Sequence, residues 1–557
     1  MIKSTLLVVF GFILSIFLFS LFKNIQYPLI WADETETAMY AKRILQYGYP
    51  KLNDGKNNIW QTYLPDANIG INKKMDSCEA LVWGQYYFAA IGEFFAEKTN
   101  DIYVKTAFLR IPFGVAGLIG LVIMAFSISG VFRKKTVQEL IFFAAFFFLA
   151  ICSVSLTLHL REVRHPSLEV FLAACIFYTY FNHRYYNKIK PVPYSIALTL
   201  LLFFLYHVFA VACFIFLAAI GLYEFIKLLK KRDPADFFRR MIPLFAAFAL
   251  IMPFFVLCHT MALGEAYRSF LRINDIPFWN RHVIGFFDIF KRYEFIYPVL
   301  AAKAIFLCFF AYFSMRRVGA WASIKQKMQI SNFLSLFIIT DVFMITFFPH
   351  PTIFERYYIL IYPAMMMMLL IDIFGTLELF SQVFHASKRR WINGFYAVML
   401  LLAFSINGHD GIDRLKNHAY ELFHQYRGPM DFIMPFIKEQ YKNPEDLVIA
   451  TNYEELDYVY YLGSKVIVGF AGNTLDEDLK LRPDIIVIRK RFSFVDPAVF
   501  NRFLARDKYE SFFFPVVDYF VNNIPDTAFH LYRTPLCNDE NKCLSMLLRA
   551  ENRNVKQ

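Results

Sequence analysis

Trp31-Ala32-Asp33-Glu34 lies a few residues beyond the first long apolar run of the chain, Leu6 to Phe22. A membrane-crossing helix needs about 20 apolar residues, and this run comes close to that length. The chain therefore leaves its apolar stretch and at once presents two carboxylates. A polar segment follows, from Thr35 to Asp76, with tyrosines, prolines, asparagines and lysines. A carboxylate at the edge of hydrocarbon is costly to desolvate, so acids in that position need a partner or a task. One task is local: Asp33 reads as the N-cap of a helix Glu34–Leu45, with Glu34 in the first turn. A cap also holds a carboxylate rigid, so capping and chemistry are compatible.

The composition agrees with a membrane setting. Of the 557 residues, 57% are hydrophobic, and 66 Phe with 33 Tyr suit lipid-facing surfaces and interfacial belts. The formal charge of +12 would suggest nucleic acid in a soluble protein. Here much of it sits in short loops between apolar runs, where membrane orientation accounts for it. Membrane lipids, and no nucleic acid, are the expected partners; the basic loops suit anionic head groups. Five cysteines (Cys152, Cys175, Cys213, Cys258 and Cys308) lie in apolar runs and read as packing residues, and Cys78 is isolated. Cys537 and Cys543 flank a short polar loop and suit a disulfide if that region is extracytoplasmic. No Cys/His spacing reads as a zinc site, and no G-x-G-x-x-G or P-loop points to a nucleotide. No cofactor is evident, although a divalent cation bridging Asp33 or Glu34 to a phosphate fits the chemistry.

Apolar spans are expected at Leu6–Phe22, Val104–Phe126, Gln138–Leu158, Ser167–Phe181, Ser195–Tyr206, His207–Ile226, Ile242–His259, Tyr297–Met315, Ile330–Phe348, Tyr357–Leu377 and Trp391–Phe404. The basic segments Arg133–Lys135, His183–Lys190, Lys227–Arg240, Arg316–Lys327 and Lys388–Arg390 all fall on one side if the N-terminus is cytoplasmic and about eleven spans follow. The two spans around Tyr206-His207 also read as one long bent helix. Ala80–Ala96 is moderately apolar but carries Glu93, and reads as lying on the membrane. Leu6–Phe22 is too long for a signal peptide and reads as a retained anchor. The expected fold class is an α-helical polytopic membrane protein with a C-terminal extracytoplasmic α/β domain. Its expected domains are residues 1–408, with a large first outer loop of about 23–103, and 409–557. In the second, Asp446–Ala450, Val459–Tyr461, Lys465–Phe470 and Asp484–Ile488 read as buried strands of a largely parallel sheet. Asp431–Tyr441 and Pro497–Asp507 read as helices.

The run Asp33 to Gly48 after a first span resembles the GT-C superfamily of polytopic glycosyltransferases, which includes protein O-mannosyltransferases and the aminoarabinose transferases acting on lipid A. Further short matches are Ala107–Leu118, with its arginine, and Leu160–Leu168, an acid-x-Arg turn in which His165 stands where the family commonly has tyrosine. Others are Glu355-Arg356-Tyr357-Tyr358 before Tyr362-Pro363, and Val521–Leu531 with Asn523, Pro525, Asp526 and His530. The resemblance implies transfer of a sugar from a polyprenyl-phosphate donor to a lipid, glycan or protein acceptor on the outer face of the plasma (inner) membrane, usually with inversion.

Such transfer needs a base for the acceptor proton and cations for the departing phosphate. The family's base maps onto Asp33, with Glu34 orienting it or binding the acceptor. Arg164 and Arg356 match phosphate oxygens bidentately, and both fall at outer ends of spans. Interfacial snorkelling is the plainer reading of each. Glu162 reads as a second acid or as the partner of Arg161. His165 and His350 read as head-group ligands or solvated residues, and Tyr357 belongs to the donor side with Arg356. Lys73 and Lys74 read as a solvated run or a phosphate contact, and the loop Thr260–Ile296 as a cover for the site. The rival classes are a transporter or flippase, which would show repeats and midplane helix breaks, an O-antigen ligase or polymerase, and a receptor, which would leave Asp33 and Glu34 without a task.

Overall fold

The computed structural model describes the chain except residues 1, 60–70, 73, 79–81, 133–135, 273–284, 315–320, 348–354, 469–479, 490–500, 503, 505–506, 520–531 and 551–557. Arg133–Lys135, Lys73, His350 and Val521–Leu531 lie outside the described residues, as does most of Pro497–Asp507.

The protein is mostly helical. The helices are α1 (Ile2–Phe22), α2 (Ala32–Tyr47), α3 (Gly84–Ala96), α4 (Ile102–Ser129), α5 (Thr136–Cys152), α6 (Val154–Leu160), α7 (His165–Arg184), α8 (Pro191–Val208), α9 (Ala210–Lys231), α10 (Pro234–Arg272), α11 (Gly285–Arg292), α12 (Ile296–Ser314), α13 (Trp321–Phe347), α14 (Ile361–Val383), α15 (Ala386–Ser405), α16 (Gly408–Phe423), α17 (Met430–Gln440) and α18 (Glu455–Leu462). Among the described residues eight helices are long and apolar enough to cross a membrane, or ten if each of two bent pairs is one span. The bent pairs are α5 with α6 and α15 with α16, turned by 85° and 70°.

Expected span Ser167–Phe181 forms α7, yet α7 falls short of that apolarity because it carries His165 and Glu169. Both residues are buried, and α7 packs inside the bundle against α4 and α8. A helix facing other helices tolerates polar side chains that lipid would not. The stretch around Tyr206-His207 is two helices. Phe209 is extended between them, at φ −154° and ψ 102°. α10 continues as helix to Arg272, through the first part of the segment expected as a loop.

Contacts gather alternate helix ends at one end of the bundle. His165, opening α7, stacks on Phe209 at 4.3 Å and 4°. Phe209 lies parallel to Tyr357, just before α14. The Tyr293 hydroxyl, before α12, donates to the Tyr358 carbonyl at 3.1 Å. This is also the end at which α1 delivers the chain to Asp33. α3 rests between α2 and α4, and turns Tyr87, Ile91, Phe94 and Phe95 outward as an exposed apolar face. That face fits a helix lying at the interface.

The C-terminal region carries a small five-stranded sheet in the order β4-β3-β5-β7-β6: β3 (Val448–Thr451), β4 (Lys465–Ile467), β5 (Ile485–Val487), β6 (Tyr509–Val517) and β7 (Cys543–Arg549). Two further strands, β1 (Ile71–Asn72) and β2 (Ser77–Cys78), pair separately. β3 runs parallel to β4 and β5, and β7 is antiparallel to both β5 and β6. The sheet is thus mixed. The core strands β3, β4 and β5 are short and almost wholly buried, whereas β6 carries exposed Glu510 and Ser511 and β7 carries Ser545, and sequence reading passed over both. Val459–Tyr461, expected as strand, lies in helix α18, closed by Gly463 in the left-handed region at φ 69°. A short apolar run reads equally as strand or helix until its neighbours bury it. Cys537 and Cys543 are disulfide-bonded.

Candidate functional site

α2 starts two residues earlier than capping by Asp33 would require. Its N-cap is Trp31, which corrects the expected cap. Asp33 and Glu34 both fall in the first turn, where the helix dipole favours carboxylates. From that turn their side chains diverge. Glu34 is 1% exposed and Asp33 30%, which decides which acid a ligand reaches.

Glu34 is locked. Arg110 from α4 clasps it through two guanidinium nitrogens, Nε at 3.0 Å and Nη2 at 2.6 Å. The Val163 backbone N–H donates to Oε1 at 2.9 Å, and the Trp31 N–H reaches Oε2 at 3.4 Å. The remaining Arg110 nitrogen donates to the carbonyls of Ile25 and Pro28. One buried ion pair thereby ties together the loop after α1, α2, α4 and the α6–α7 turn. With its oxygens occupied, Glu34 positions the site and leaves the open carboxylate to Asp33.

That turn carries Arg164. Its backbone is extended, and His165-Pro166 opens α7, proline being favoured at a helix start. Arg356 comes from a 3-10 turn, Glu355–Tyr358, anchored by the Ser155 hydroxyl donating to the buried Glu355. Both arginines meet Asp33 at the same oxygen: Arg164 Nη1 pairs with Oδ2, and Arg356 Nη2 lies 3.0 Å from it. Arg356 also lies over the Trp31 ring at 5.2 Å and beside the half-buried Tyr357 ring at 5.3 Å. Three elements far apart in sequence thus bring two guanidiniums to one carboxylate.

Other expectations are redistributed. Glu162 does not pair with Arg161. It takes His159 Nδ1 at 3.0 Å, while Arg161 reaches Glu421 at 3.1 Å. Successive residues in a tight turn point apart, so each finds a partner from another element. His165 is buried, stacked on Phe209 and paired with Glu169, so it is not solvated.

Sequence reading missed the acids around Asp33. A cavity of about 180 Å³ is lined by Ala32, Asp33, Glu36, Ile59, Glu454, Glu455 and Leu456. Glu36 follows Asp33 by three residues on the same helix, a spacing that places both on one face. Glu454 and Glu455 come from the start of α18, and nothing local in the sequence connects them to α2. Arg489 holds Glu454 and lies 2.6 Å from Asp518, which fixes the end of α18. The Thr35 hydroxyl donates to Asp457 of α18, and the Tyr461 hydroxyl accepts from the Ile30 N–H at 3.2 Å. The C-terminal region is therefore docked on α2 and supplies a wall of the cavity.

Burial pushes the Glu36 carboxyl up to about 7, against the pull of the Arg164 guanidinium and with the help of Asp33. The unfolded chain holds Glu36 near 4.5, so the folded state binds the extra proton between about 4.5 and 7. The stability due to neutral Glu36 is complete below the lower value and is lost as pH rises through the upper one. Glu36→Gln should therefore unfold at a higher temperature than the parent at pH 8 and at an equal temperature at pH 4. Equal midpoints at both pH values would contradict this.

Among the described residues no three His, Cys, Asp or Glu side chains converge closely enough to hold a metal ion. Compared with protein-family models and with curated proteins, the chain matches none.

Proposed function

We propose that the protein is a membrane glycosyltransferase that moves a sugar from a polyprenyl-phosphate donor to a hydroxyl of a lipid, glycan or protein acceptor, as its resemblance to the GT-C superfamily suggests. The observation that carries the reading is the convergence of Arg164 and Arg356 on one carboxylate oxygen of the partly exposed Asp33. The acceptor oxygen attacks the anomeric carbon from the face opposite the phosphate. Its proton passes to Asp33, and the carbon–oxygen bond to phosphate breaks with inversion. Polyprenyl phosphate leaves.

Charge supports this assignment. Before reaction, ionised Asp33 and a donor phosphodiester carry one negative charge each. Afterwards Asp33 is neutral and the released monoester is a dianion. Two guanidiniums balance two negative charges throughout, so the site need not reorganise its field as charge moves. Donor phosphate would draw the arginines off Asp33 and release that carboxylate as a base. The planar fork of arginine suits that exchange, whereas lysine acts as a point charge. Arg356→Lys should therefore raise KM for the donor roughly ten- to a hundredfold with a smaller change in kcat. An unchanged KM would remove Arg356 from the donor site.

In this reading the Asp33 end of the bundle faces outward from the plasma membrane, the N-terminus is cytoplasmic and the C-terminal region is extracytoplasmic. The Cys537–Cys543 disulfide supports that side, because disulfides persist in oxidising compartments. The test incubates membranes with labelled polyprenyl-phosphate sugar: label should pass to a second molecule with the parent chain and not with Asp33→Asn. Label that stays on the donor lipid while crossing the bilayer would favour a flippase.

A further inference from the structure

A second cavity, of about 530 Å³, lies at the opposite end of the bundle. α7 runs from His165 to Arg184, 20 residues, so at ~1.5 Å per residue its far end is about 30 Å from Arg164. That is one hydrocarbon thickness. The cavity sits where the end of α7 meets the starts of α8 and α10, and its polar wall holds Arg184, Arg239, Arg240 and Asp236.

The basic groups are arranged. Glu224 of α9 receives Arg184 Nε at 3.1 Å and the Tyr180 hydroxyl at 2.9 Å. Arg240 Nε lies 2.9 Å from Asp236 and 3.9 Å from Glu224. Arg239 is exposed and has no carboxylate partner among the described residues. Three guanidiniums against Asp236 and Glu224 leave one positive charge in surplus. Pro191, Val192 and Tyr194 place the positive end of α8 at the same spot. His183 stacks on Tyr194 at 4.0 Å and shapes the floor.

Part of the lining is apolar. Val192, Ile196 and Ile242 line the cavity and are also strongly exposed, at 69%, 57% and 56%. Phe238 and Phe245 continue that exposed strip along α10. A free anion has no use for such a wall. A lipid does: its head group meets the arginines and its chains follow the strip.

We propose that this cavity binds the phosphate head group of an anionic membrane phospholipid, with the acyl chains lying along Val192, Ile196 and Ile242 between α8 and α10. Basic pockets between membrane helices hold such head groups by charge, at about 1 kcal/mol per arginine or lysine near the surface. The site is independent of the transfer reaction.

The experiment uses the full chain released from mixed phosphatidylglycerol–phosphatidylcholine bilayers, with bound lipid counted by native mass spectrometry. The parent should retain phosphatidylglycerol in preference to phosphatidylcholine. Arg239→Glu should weaken that retention roughly tenfold or more, and Arg239→Gln roughly fivefold. Lys388→Glu, a charge reversal at the exposed start of α15, should leave it unchanged. The glutamine variant decides the matter if the reversal lowers the unfolding temperature. Equal retention of both lipids, or an equal loss with Lys388→Glu, overturns the proposal. Inorganic phosphate binding as tightly in phosphatidylcholine alone would mark a free-anion site and overturn the lipid assignment.

Discussion

Asp33→Asn should reduce sugar transfer roughly a hundred- to ten-thousandfold while the protein remains folded, the usual cost of removing a general base. The side chain keeps its size and still accepts a hydrogen bond from Arg356, so the packing around Trp31 is retained. Its charge is lost, and with it the counter-ion shared by Arg164 and Arg356. Those two guanidiniums then have no carboxylate competing for them at that position. Donor affinity should rise as turnover falls. A structural role for Asp33 moves the unfolding temperature and weakens both properties together, so the opposed changes separate base from scaffold. Normal turnover of labelled donor by Asp33→Asn would end the assignment.

Arg110→Met should destabilise the protein by about 3–5 kcal/mol, because it leaves the buried Glu34 carboxylate uncompensated. Both side chains are nearly inaccessible, 5% and 1% exposed, so water offers little relief. The variant also removes the donor to the Ile25 and Pro28 carbonyls, which loosens the loop between α1 and α2. Adding Glu34→Gln should recover a large part of the loss, since a neutral amide still accepts from the Val163 N–H without an orphaned charge. Denaturation in detergent micelles measures both steps. If the double variant is as unstable as the two single losses combined, the two residues act independently and the clasp is not what holds the turn bearing Arg164.

The two predictions separate what was legible from what was not. Asp33, Arg164 and Arg356 stood out because each follows or precedes a long apolar run, and a charge there signals itself against its background. Their meeting at a single carboxylate oxygen required the packing of α2 against the α6–α7 turn and the 3-10 turn before α14. Glu34 was equally visible and read as orienting Asp33 or binding the acceptor, but its burial by Arg110 was not legible. Glu36 was within reach of sequence reasoning, three residues along the same helix. Glu454 and Glu455 were not, because their approach to Asp33 depends on where the C-terminal region docks.

The helices themselves were written in composition. Apolar runs of membrane-spanning length have few alternatives in lipid, where backbone groups must bond within their own segment. For that reason most of the expected spans coincide with long helices; Gln138–Leu158 is instead broken into α5 and α6, and α7, which falls short of a span's apolarity, is enclosed by protein. Short apolar runs outside the membrane lack such a constraint, and Val459–Tyr461 became helix where strand was expected. The amino-acid sequence alone determined that this chain is built of long apolar helices with acids and arginines at their ends, because hydrophobicity over about 20 residues is a local property. Only the tertiary structure decided which acid is buried, which is accessible, and which arginines face it. Those outcomes depend on contacts between segments distant in sequence, from Glu34 with Arg110 to Asp33 with Arg356, and no local property of the chain encodes them.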